Sequence, residues 1–406
     1  MILALVVVLV GFVQVDAEGP STEIGPDMDW CATLNSLPQG EEAILRPGTY
    51  RGPCSVRRSG TPGNPFVVRA KDLLDRPRIE YLGQGDNVLN IRADHVIIRG
   101  LEFGPTKRDV DAVRIYSRSG VTVEDCRFRG VGGTAIVANH NSATRIVVRR
   151  NEIIESKATA MYYGCHDGLH CTLSDLLVER NYIRGVDATG SEIGYGIQVK
   201  LNSTVTIRDN VILDTKGPGI MTYGASDVSK MSTVERNFVA GSRTSSAIVV
   251  GGGAAVVRNN VTILSAEGGI ALEDYHRRGL LRGVVIAHNT IYGNAKGGVL
   301  VPAQGLLDVK LVNNAVHARA GTQPFPIDRP GVLTLGNVDC STLPCFLDPD
   351  QRNFSPLTIH AGSLAAEPWI PADDYFGRQR AIPPTAGAIE ALARAILPGF
   401  KPPLER

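Results

Sequence analysis

The stretch LLVERNYI at residues 176–183 returns as VTIRDNVI at 205–212 and as STVERNFV at 232–239. Within each copy apolar residues alternate with polar ones, which is the period of a strand with one buried face. An asparagine closes the alternating part at the same place in all three copies. Self-similarity at a nearly fixed period is the signature of a solenoid, in which each copy forms one coil.

The repeat continues on both sides of these three copies. The further copies are VIIRGLEF, VTVEDCRF, IVVRRNEI, AVVRNNVT, VVIAHNTI and VKLVNNAV. The residues in register are Leu101, Cys126, Asn151, Asn181, Asn210, Asn237, Asn260, Asn289 and Asn314. Their successive spacings are 25, 25, 30, 29, 27, 23, 29 and 25 residues, so loops of variable length connect the coils.

The asparagines are predicted to stack at a tight turn between strands. An Asn side chain there can adopt a left-handed bend and hydrogen-bond its equivalents above and below. Cys126 and Leu101 occupy the same ladder in the earlier coils, so we expect Cys126 to have a structural role. Each motif is followed by a second short strand, as in AVRIY, AIVAN, AMYYG, GIQVK, GIMTY, AIVVG, GIALE and GVLVP. Two strands per repeat are therefore the minimum, and a third is expected in the variable segment.

This pattern of asparagine turns and xGIxV strands resembles the parallel β-helix repeat of pectate lyases, alginate and chondroitin lyases, uronan epimerases and related carbohydrate enzymes. The resemblance covers roughly residues 60 to 320. It implies an all-β fold, a single-stranded right-handed parallel β-helix (solenoid) with N- and C-terminal caps. It says less about the reaction, because this repeat carries several chemistries and also occurs in non-catalytic proteins.

The chain divides into four predicted parts: a signal peptide at 1–17, an N-terminal cap at 18–60, the β-helix at 61–320 and a closing segment at 321–406. The apolar run MILALVVVLVGFVQVDA predicts export to the periplasm or the outside, with cleavage after Ala17 and no membrane contact afterwards. The alternative is that the run stays as an anchor. In the closing segment, Asp374, Gly377 and Arg380 are expected to fix a turn rather than bind substrate.

The cysteines agree with an oxidising compartment. Six of the seven fall into couples close in sequence: Cys31 with Cys54, Cys165 with Cys171, and Cys340 with Cys345. We expect these three disulfides and a reduced Cys126. The alternative is a zinc site at Cys165, His166, His170 and Cys171, although their arrangement matches no familiar finger or catalytic spacing.

Composition excludes several classes of protein. The net charge is +1 with both signs interspersed, so nothing indicates a nucleic-acid binder. The 44 glycines and the few aromatic residues fit many tight turns between short strands, and they fit helix-rich folds poorly. We expect a monomer.

The second strand should carry the chemistry on its outward face. If Val113 and its equivalents point inward, alternation along the strand sends every second residue outward. The first outward column then reads Arg114, Val137, Tyr162, Gln198, Met221, Val249 and Ala271. The second reads Tyr116, Asn139, Gly164, Lys200, Tyr223, Gly251 and Glu273, with His140 and His166 just beyond the strand ends.

A groove of this composition suits an acidic polysaccharide, because carboxylates need cationic partners and sugar faces stack on tyrosines. It also suits β-elimination, which needs a positioned base and a cation near the substrate carboxylate. Lys200 is the candidate base, Tyr162 or Tyr223 the proton donor and Arg114 the carboxylate clamp. The remaining candidates for substrate binding are Tyr116, Asn139, His140, Gln198 and Glu273. The plain alternative for Lys200 is a solvated lysine on an exposed sheet.

Two further sites have alternative interpretations. The run 162–167, YYGCHD, partly resembles the tyrosine, glycine and His-Asp signature of mannuronan epimerases, which makes His166 a catalytic candidate. Cys165 stands where that family has other residues, so the epimerase roles do not transfer intact. Glu273 and Asp274 could bind Ca²⁺ or act in glycoside hydrolysis. Arg277 and its basic neighbours could instead neutralise them, and no other cofactor is indicated.

The sequence therefore predicts a secreted carbohydrate-active protein. A lyase that cleaves a uronic-acid-containing polysaccharide by β-elimination is the favoured function, because the groove is rich in cations and poor in aspartate. A C5-epimerase or glycoside hydrolase acting on the same groove is the second option. A non-catalytic polysaccharide-binding β-helix is the third.

Overall fold

The computed structural model describes residues 19–190, 192–326, 329–357 and 370–390. The predicted signal peptide and its cleavage site lie outside the described residues, as do parts of the closing segment. In the described part of the chain, three long parallel sheets run side by side and their strands alternate along the sequence. This is the predicted β-solenoid.

Sheet A contains Ser21–Ile24, Glu42–Leu45, Phe66–Ala70, Val96–Arg99, Val121–Glu124, Val147–Arg149, Leu176–Glu179, Val205–Arg208, Ser232–Glu235, Ala255–Arg258, Arg282–Ala287, Leu307–Val312 and Val332–Leu335. Sheet B contains Thr49–Arg51, Arg78–Tyr81, Glu102–Thr106, Arg127–Val131, Glu152–Ser156, Tyr182–Val186, Val211–Thr215, Phe238–Ser242, Val261–Ile263, Thr290–Tyr292, Ala315–His317 and Val338–Asp339. Sheet C contains Cys54–Val56, Leu89–Ile91, Val113–Ile115, Ile136–Ala138, Met161–Tyr163, Ile197–Val199, Ile220–Thr222, Ile248–Val250, Gly268–Leu272 and Gly297–Leu300.

Each complete coil has three strands, in the order A, B and C. The repeat motif itself turns the corner from sheet A to sheet B, so the strand beyond the predicted two begins directly after the asparagine. The stacked inward side chains form one continuous apolar core between the sheets. Small two-stranded pairs complete the fold: Ala143–Thr144 with Leu173–Ser174, and Phe346–Asp348 with Asn353–Pro356.

The asparagine ladder is confirmed. The Oδ1 atom of Asn210 accepts hydrogen bonds from the backbone N and the Nδ2 of Asn181, at 2.9 and 3.0 Å. Nδ2 of Asn210 donates to the carbonyl of Val178, so the buried amide is satisfied within the stack. The left-handed residue is the one before the asparagine, as at Arg180 with φ 54° and Asp209 with φ 57°. The prediction had placed that bend on the asparagine itself.

Cys126 and Leu101 occupy the ladder in the earlier coils as predicted. Both are fully buried, and the backbone N of Cys126 donates to Oδ1 of Asn151 at 3.0 Å. Burial raises the pKa of the Cys126 thiol to about 12, so the thiol stays protonated. The ladder also continues one coil further than predicted, to Asn337, whose Oδ1 accepts from Asn314.

The three predicted disulfides are present: Cys31–Cys54, Cys165–Cys171 and Cys340–Cys345. Cys126 is the free cysteine. The zinc alternative is wrong, because Cys165 and Cys171 are bonded to each other and so lack thiolates for a metal. Within the described ranges, no group of three or more His, Cys, Asp or Glu residues is arranged to hold a metal ion.

A short helix covers the N-terminal end of the solenoid. The helix Trp30–Ser36 begins at the N-cap Asp29 and buries Trp30 and Leu34 over the first coils. Parallel strands already start at Ser21 and continue to Asp339, inside both predicted cap segments. Residues 370–390 return along the side of the solenoid, where Arg380 is buried. None of the helices in the described part of the chain has the length and hydrophobicity needed to cross a bilayer.

A candidate active-site cleft on sheet C

The register of sheet C matches the two predicted outward columns. Arg114 pairs with Val137, and the pairing continues coil by coil to Ala271. The residues predicted to point inward, from Val113 to Ile270, are all fully buried. Coil stacking therefore brings side chains that are far apart in sequence onto one face.

A cleft of about 570 Å³ lies over the middle coils of this face. We call it the sheet-C cleft. Its floor consists of outward residues of the strands, and its side walls are loops that precede and follow them. The predicted residues that line it are Arg114, Asn139, Tyr162, His166, Gln198, Lys200 and Tyr223. The lining residues that sequence reasoning did not assign include Arg108, Asp111, Lys157, Glu192, Tyr195 and Tyr275.

Lys200 is the central group of the cleft. Only 5% of the residue is exposed, so the alternative of a solvated lysine is wrong. Its Nζ lies 5.1 Å from the ring centroid of Tyr162 and 4.6 Å from that of Tyr223. Its polar contact is with Nδ1 of His166, at 3.3 Å. The ammonium is thus held by aromatic faces and an imidazole rather than by a carboxylate.

This environment changes the acidity of Lys200. Burial and the nearby Arg278 lower its pKa to about 8, against the opposing effect of Glu192. A buried ammonium loses hydration that aromatic rings replace only in part. At neutral pH about one molecule in ten would carry Lys200 as the free amine. A surface lysine with an ordinary pKa would offer far less of the base form.

The tyrosines beside Lys200 remain protonated. Burial and the neighbouring Tyr223 raise the pKa of Tyr162 to about 12. Burial also raises the pKa of Tyr223, whose hydroxyl accepts a hydrogen bond from Nε2 of Gln198 at 3.3 Å. The hydroxyls of Tyr195 and Tyr223 lie 3.4 Å apart. Each phenol can therefore donate a proton or a hydrogen bond at neutral pH.

Arg114 is fixed by two neighbours. Its Nη2 and Nε contact Oδ2 of Asp111 at 2.7 and 3.2 Å, and its Nη1 donates to Oδ1 of Asn139 at 3.3 Å. The other oxygen of Asp111 accepts from the backbone N of Thr134. Asp111 therefore orients Arg114 and offsets part of its charge. Sequence reasoning missed Asp111, although it lies three residues before Arg114 on the approach to the same strand.

His166 lines the cleft, but the His-Asp pair does not act there as a unit. Asp167 turns back to its own loop, where its carboxylate accepts from the backbone N of Leu169 and contacts the ring of His170. Hydrogen bonds from Leu169 and His170 lower the pKa of Asp167 to about 2. Asp167 thus closes the loop that the Cys165–Cys171 disulfide also holds.

Two predicted binding residues lie beside the cleft rather than in it. Tyr116 and His140 contact edge to face, with centroids 5.0 Å apart, and the Arg92 guanidinium lies 4.1 Å from the Tyr116 centroid. We call these three residues the shelf. Arg92 and His140 are exposed. The shelf continues the second outward column toward the N-terminus of the solenoid.

Glu273 belongs to a separate pocket, shared with Asp274 and Arg277. Burial and the nearby Glu267 raise the pKa of Glu273. Both carboxylate oxygens of Asp274 already accept hydrogen bonds, from the backbone N of Arg278 and of Gly279, each at 2.8 Å. The pair therefore does not present two free carboxylates to the cleft, which removes the basis for a role in hydrolysis there.

The run of glycines at 251–253 reflects close packing. A Cβ at Gly253 would come within 1.5 Å of the carbonyl oxygen of Arg282, and one at Gly252 within 2.8 Å of that of Tyr223. The space that these glycines leave is filled by neighbouring backbone.

Comparisons with known proteins agree with this fold. Residues 167–323 match the family described as right handed beta helix region. The uncharacterized protein YwoF of Bacillus subtilis (strain 168) is 24% identical over 291 residues, which is 64% of this chain and 57% of YwoF. The chain thus matches less than two thirds of the length of that relative.

Solved structures show the same architecture. A PL6 alginate lyase in complex with a trisaccharide is 13% identical, covers 80% of this chain and 81% of its own, and superposes with a TM-score of 0.53. The complex of XylC with xylose is 11% identical, covers 70% of this chain and 71% of its own, and has a TM-score of 0.52. Together with the three parallel sheets and the asparagine ladder, these likenesses identify the chain as a right-handed parallel β-helix protein.

Proposed function

We propose that this protein is an exported enzyme that cleaves a uronic-acid-containing polysaccharide by β-elimination. The observation that carries the proposal is Lys200: a buried lysine with a pKa of about 8, between two protonated tyrosines, in the sheet-C cleft. Groups with strongly perturbed pKa values concentrate at functional sites. The alginate lyase among the similar structures has the same fold and acts on an acidic polysaccharide.

The reaction assigns one role to each group. The free amine of Lys200 takes the C5 proton of a uronate, the C5–H electrons form the C4=C5 double bond, and the glycosidic C4–O bond breaks. Tyr162 or Tyr223 protonates the leaving oxygen. His166 lies 3.3 Å from Nζ and is placed to hydrogen-bond the reacting carboxylate, whose charge must be stabilised as the carbanion develops.

Arg114 acts on a different sugar. It lies three coils before Lys200 in the stacked register, and parallel strands are about 4.8 Å apart, so the two side chains start roughly 14 Å apart along the solenoid. One uronate cannot span that separation. Arg114, fixed by Asp111 and Asn139, instead suits the carboxylate of a neighbouring sugar in the same chain.

C5-epimerisation is the second candidate, because tyrosine rings flank Lys200 on both neighbouring coils. A phenol on the opposite face could return a proton to C5 without loss of the leaving group. The products separate the two reactions. Elimination yields unsaturated uronate ends, and epimerisation yields solvent deuterium at C5 in an uncleaved chain.

The test compares Lys200→Met with the wild-type protein on alginate, polygalacturonate and chondroitin. Ultraviolet absorbance of the new double bond measures turnover. Methionine fills the buried space without an amine, so Lys200→Met should retain the fold, as judged by circular dichroism, and lose about 10² to 10⁴ in rate. Lys230→Ala, at an exposed lysine outside the cleft, is the matched control and should behave as wild type. Near-normal turnover of Lys200→Met would place the base elsewhere, with Tyr162 and His166 next to be tested.

A further inference from the structure

The sheet-C cleft ends abruptly one coil beyond Lys200. Its last lining residues on that side are Tyr195, Tyr223 and Tyr275, which we call the aromatic block. The rings of Tyr223 and Tyr275 meet edge to face at 5.0 Å. Burial and its hydrogen bonds to Tyr223 and Tyr275 raise the pKa of Tyr195. The three phenols therefore form one connected cluster across the floor.

The outward face behind the aromatic block is covered. Met221, Val249 and Ala271 continue the first outward column and are buried, but unlike Val137 and Gln198 of the same column they do not line the cleft. They form a single apolar cluster with Tyr195 and Tyr223, against which Tyr275, Leu201 and Leu300 pack. A polysaccharide chain therefore has no open floor on which to continue in this direction.

A hydrogen-bonded turn fixes the position of Tyr275 in the aromatic block. Tyr275 begins the short 3-10 helix Tyr275–Arg277, directly after Asp274. The Asp274 carboxylate fastens the end of this turn through the backbone N atoms of Arg278 and Gly279. Nε of Arg278 donates back to the carbonyl of Tyr275 at 2.7 Å. These contacts make Tyr275 a fixed wall.

The opposite end of the cleft has an outlet. Arg114 and Asn139 lie there, and the shelf continues the same face with the half-buried ring of Tyr116 and the exposed side chains of Arg92 and His140. Sugar faces stack on such rings and carboxylates pair with the guanidinium. Glu192 and Ile193 line one side wall and His166 lines the other.

We infer that the cleft receives one end of an acidic polysaccharide chain, with Tyr275 as the closing group, and that the enzyme removes short units from that end. This inference rests on the proposed function. Lys200 is on the coil next to Tyr223 and its Nζ lies 4.6 Å from the centroid of that ring, so the base stands directly against the aromatic block and acts on a sugar at the closed end of the cleft. The rest of the chain extends past Arg114 onto the shelf.

The test measures how many protein molecules bind to one polysaccharide chain, a quantity that does not depend on catalysis. Size-fractionated alginate and polygalacturonate are titrated with Lys200→Met, which leaves the chains intact, and sedimentation gives the ratio of protein to chain. A site for chain ends gives a single protein per chain at every length. A ratio that rises with chain length, or no binding to either polymer, would overturn the inference.

Two variants test the closing group. Tyr275→Ala in the Lys200→Met background removes the ring above Tyr223, and its ratio of protein to chain should rise with length. Phe376→Ala, at an exposed aromatic residue of the C-terminal segment, is the control and should keep a fixed ratio. A fixed ratio for Tyr275→Ala would show that Tyr275 is not the closing group.

Product analysis separates this inference from the proposed reaction. Wild-type protein acting on end-labelled chains should release one short unsaturated product from the start. Unsaturated products of mixed length would leave elimination standing and overturn action at chain ends. A fixed ratio of protein to polysaccharide chain without unsaturated products would support the site for chain ends and contradict elimination.

Discussion

At the scale of single residues, the environment of Lys200 differs from that of other lysines that the structure describes. Lys71, Lys296 and Lys310 are at least a quarter exposed and pair with carboxylates. Lys200 is buried against Tyr162 and Tyr223, and its pKa is about 8. Keeping a cation in this position costs folding free energy, and a cost of this kind persists where function requires it.

The lowered pKa of Lys200 predicts how activity depends on pH. The base form is the deprotonated amine, so kcat/KM should rise with pH through an apparent pKa of about 8 and then level off. This parameter reports the free enzyme, before a substrate carboxylate raises the pKa of the amine again. Initial rates at low substrate over a pH series measure it, and Lys230→Ala should give the same curve. A pH profile that stays flat through this region would contradict Lys200 as the base.

At the scale of elements, charged residues stack on sheet A as regularly as the asparagines stack beside it. The register aligns a column of alternating sign: Arg99, Glu124, Arg149, Glu179, Arg208, Glu235 and Arg258. Glu124 is fully buried and contacts Arg99 at 2.6 Å, Arg149 at 2.7 Å and Arg150 at 2.9 Å. Opposite charges on neighbouring strands stabilise this register, and a slip by one coil would oppose like charges.

Glu124→Gln tests this column. Despite burial, which opposes the shift, hydrogen bonds and charges from Arg149 and Arg99 lower the pKa of Glu124 below its ordinary 4.5. A carboxylate with a lowered folded-state pKa stabilises the fold above its unfolded-state pKa, and that stabilisation is lost as pH falls through the folded-state value. Near neutral pH the substitution should lower the free energy of unfolding by about 3–5 kcal/mol.

The measurement is chemical denaturation at neutral and acidic pH. The difference between Glu124→Gln and wild type should shrink as the pH falls below 4.5. Glu155→Gln, at an exposed position on sheet B, is the control and should have little effect at any pH. An equal cost of Glu124→Gln at both pH values would argue for a packing effect instead.

At the scale of the whole molecule, the C-terminal segment closes the side of the solenoid far from the cleft. Arg380 is buried, and its guanidinium donates to Glu390 at 2.8 Å and to Oδ1 of Asn259 at 2.7 Å. The backbone N of Ala388 donates to the Thr290 hydroxyl at 2.9 Å. The turn predicted around Asp374 is present, with its carboxylate accepting from the backbone N of two following residues.

Arg380→Met tests whether this closure is local. The change leaves Glu390 buried without its cation, so it should cost about 3–5 kcal/mol in the segment and the coils it covers. Hydrogen exchange should rise at residues 385–388 and near Thr290, and stay unchanged around Lys200, because coils of a solenoid contact only their neighbours. Arg57→Met, at an exposed arginine, is the control. Faster exchange throughout the chain would contradict local closure.

Periodicity alone predicts the solenoid, the ladder and the columns of sheet C. In a strand, alternation decides which side chains face the core, and stacked coils repeat that decision at one spacing, so aligning Asn181 with Asn210 also aligns Tyr162 with Gln198. Local cysteine spacing likewise predicted the disulfides. The alternating charges of sheet A are also visible in the sequence. The same periodicity could therefore have predicted that column of ion pairs, which the sequence analysis missed.

Tertiary structure alone decides which outward positions are open. Loops of different length leave each coil, and no periodic rule directs them, so the sequence could not show that Lys200 is buried or that Asp111 holds Arg114. It also could not show that Tyr275 closes the cleft and leaves Glu273 in a separate pocket. The physical reason is that coil stacking depends on short-range repetition, whereas a cleft depends on contacts between loops far apart in sequence.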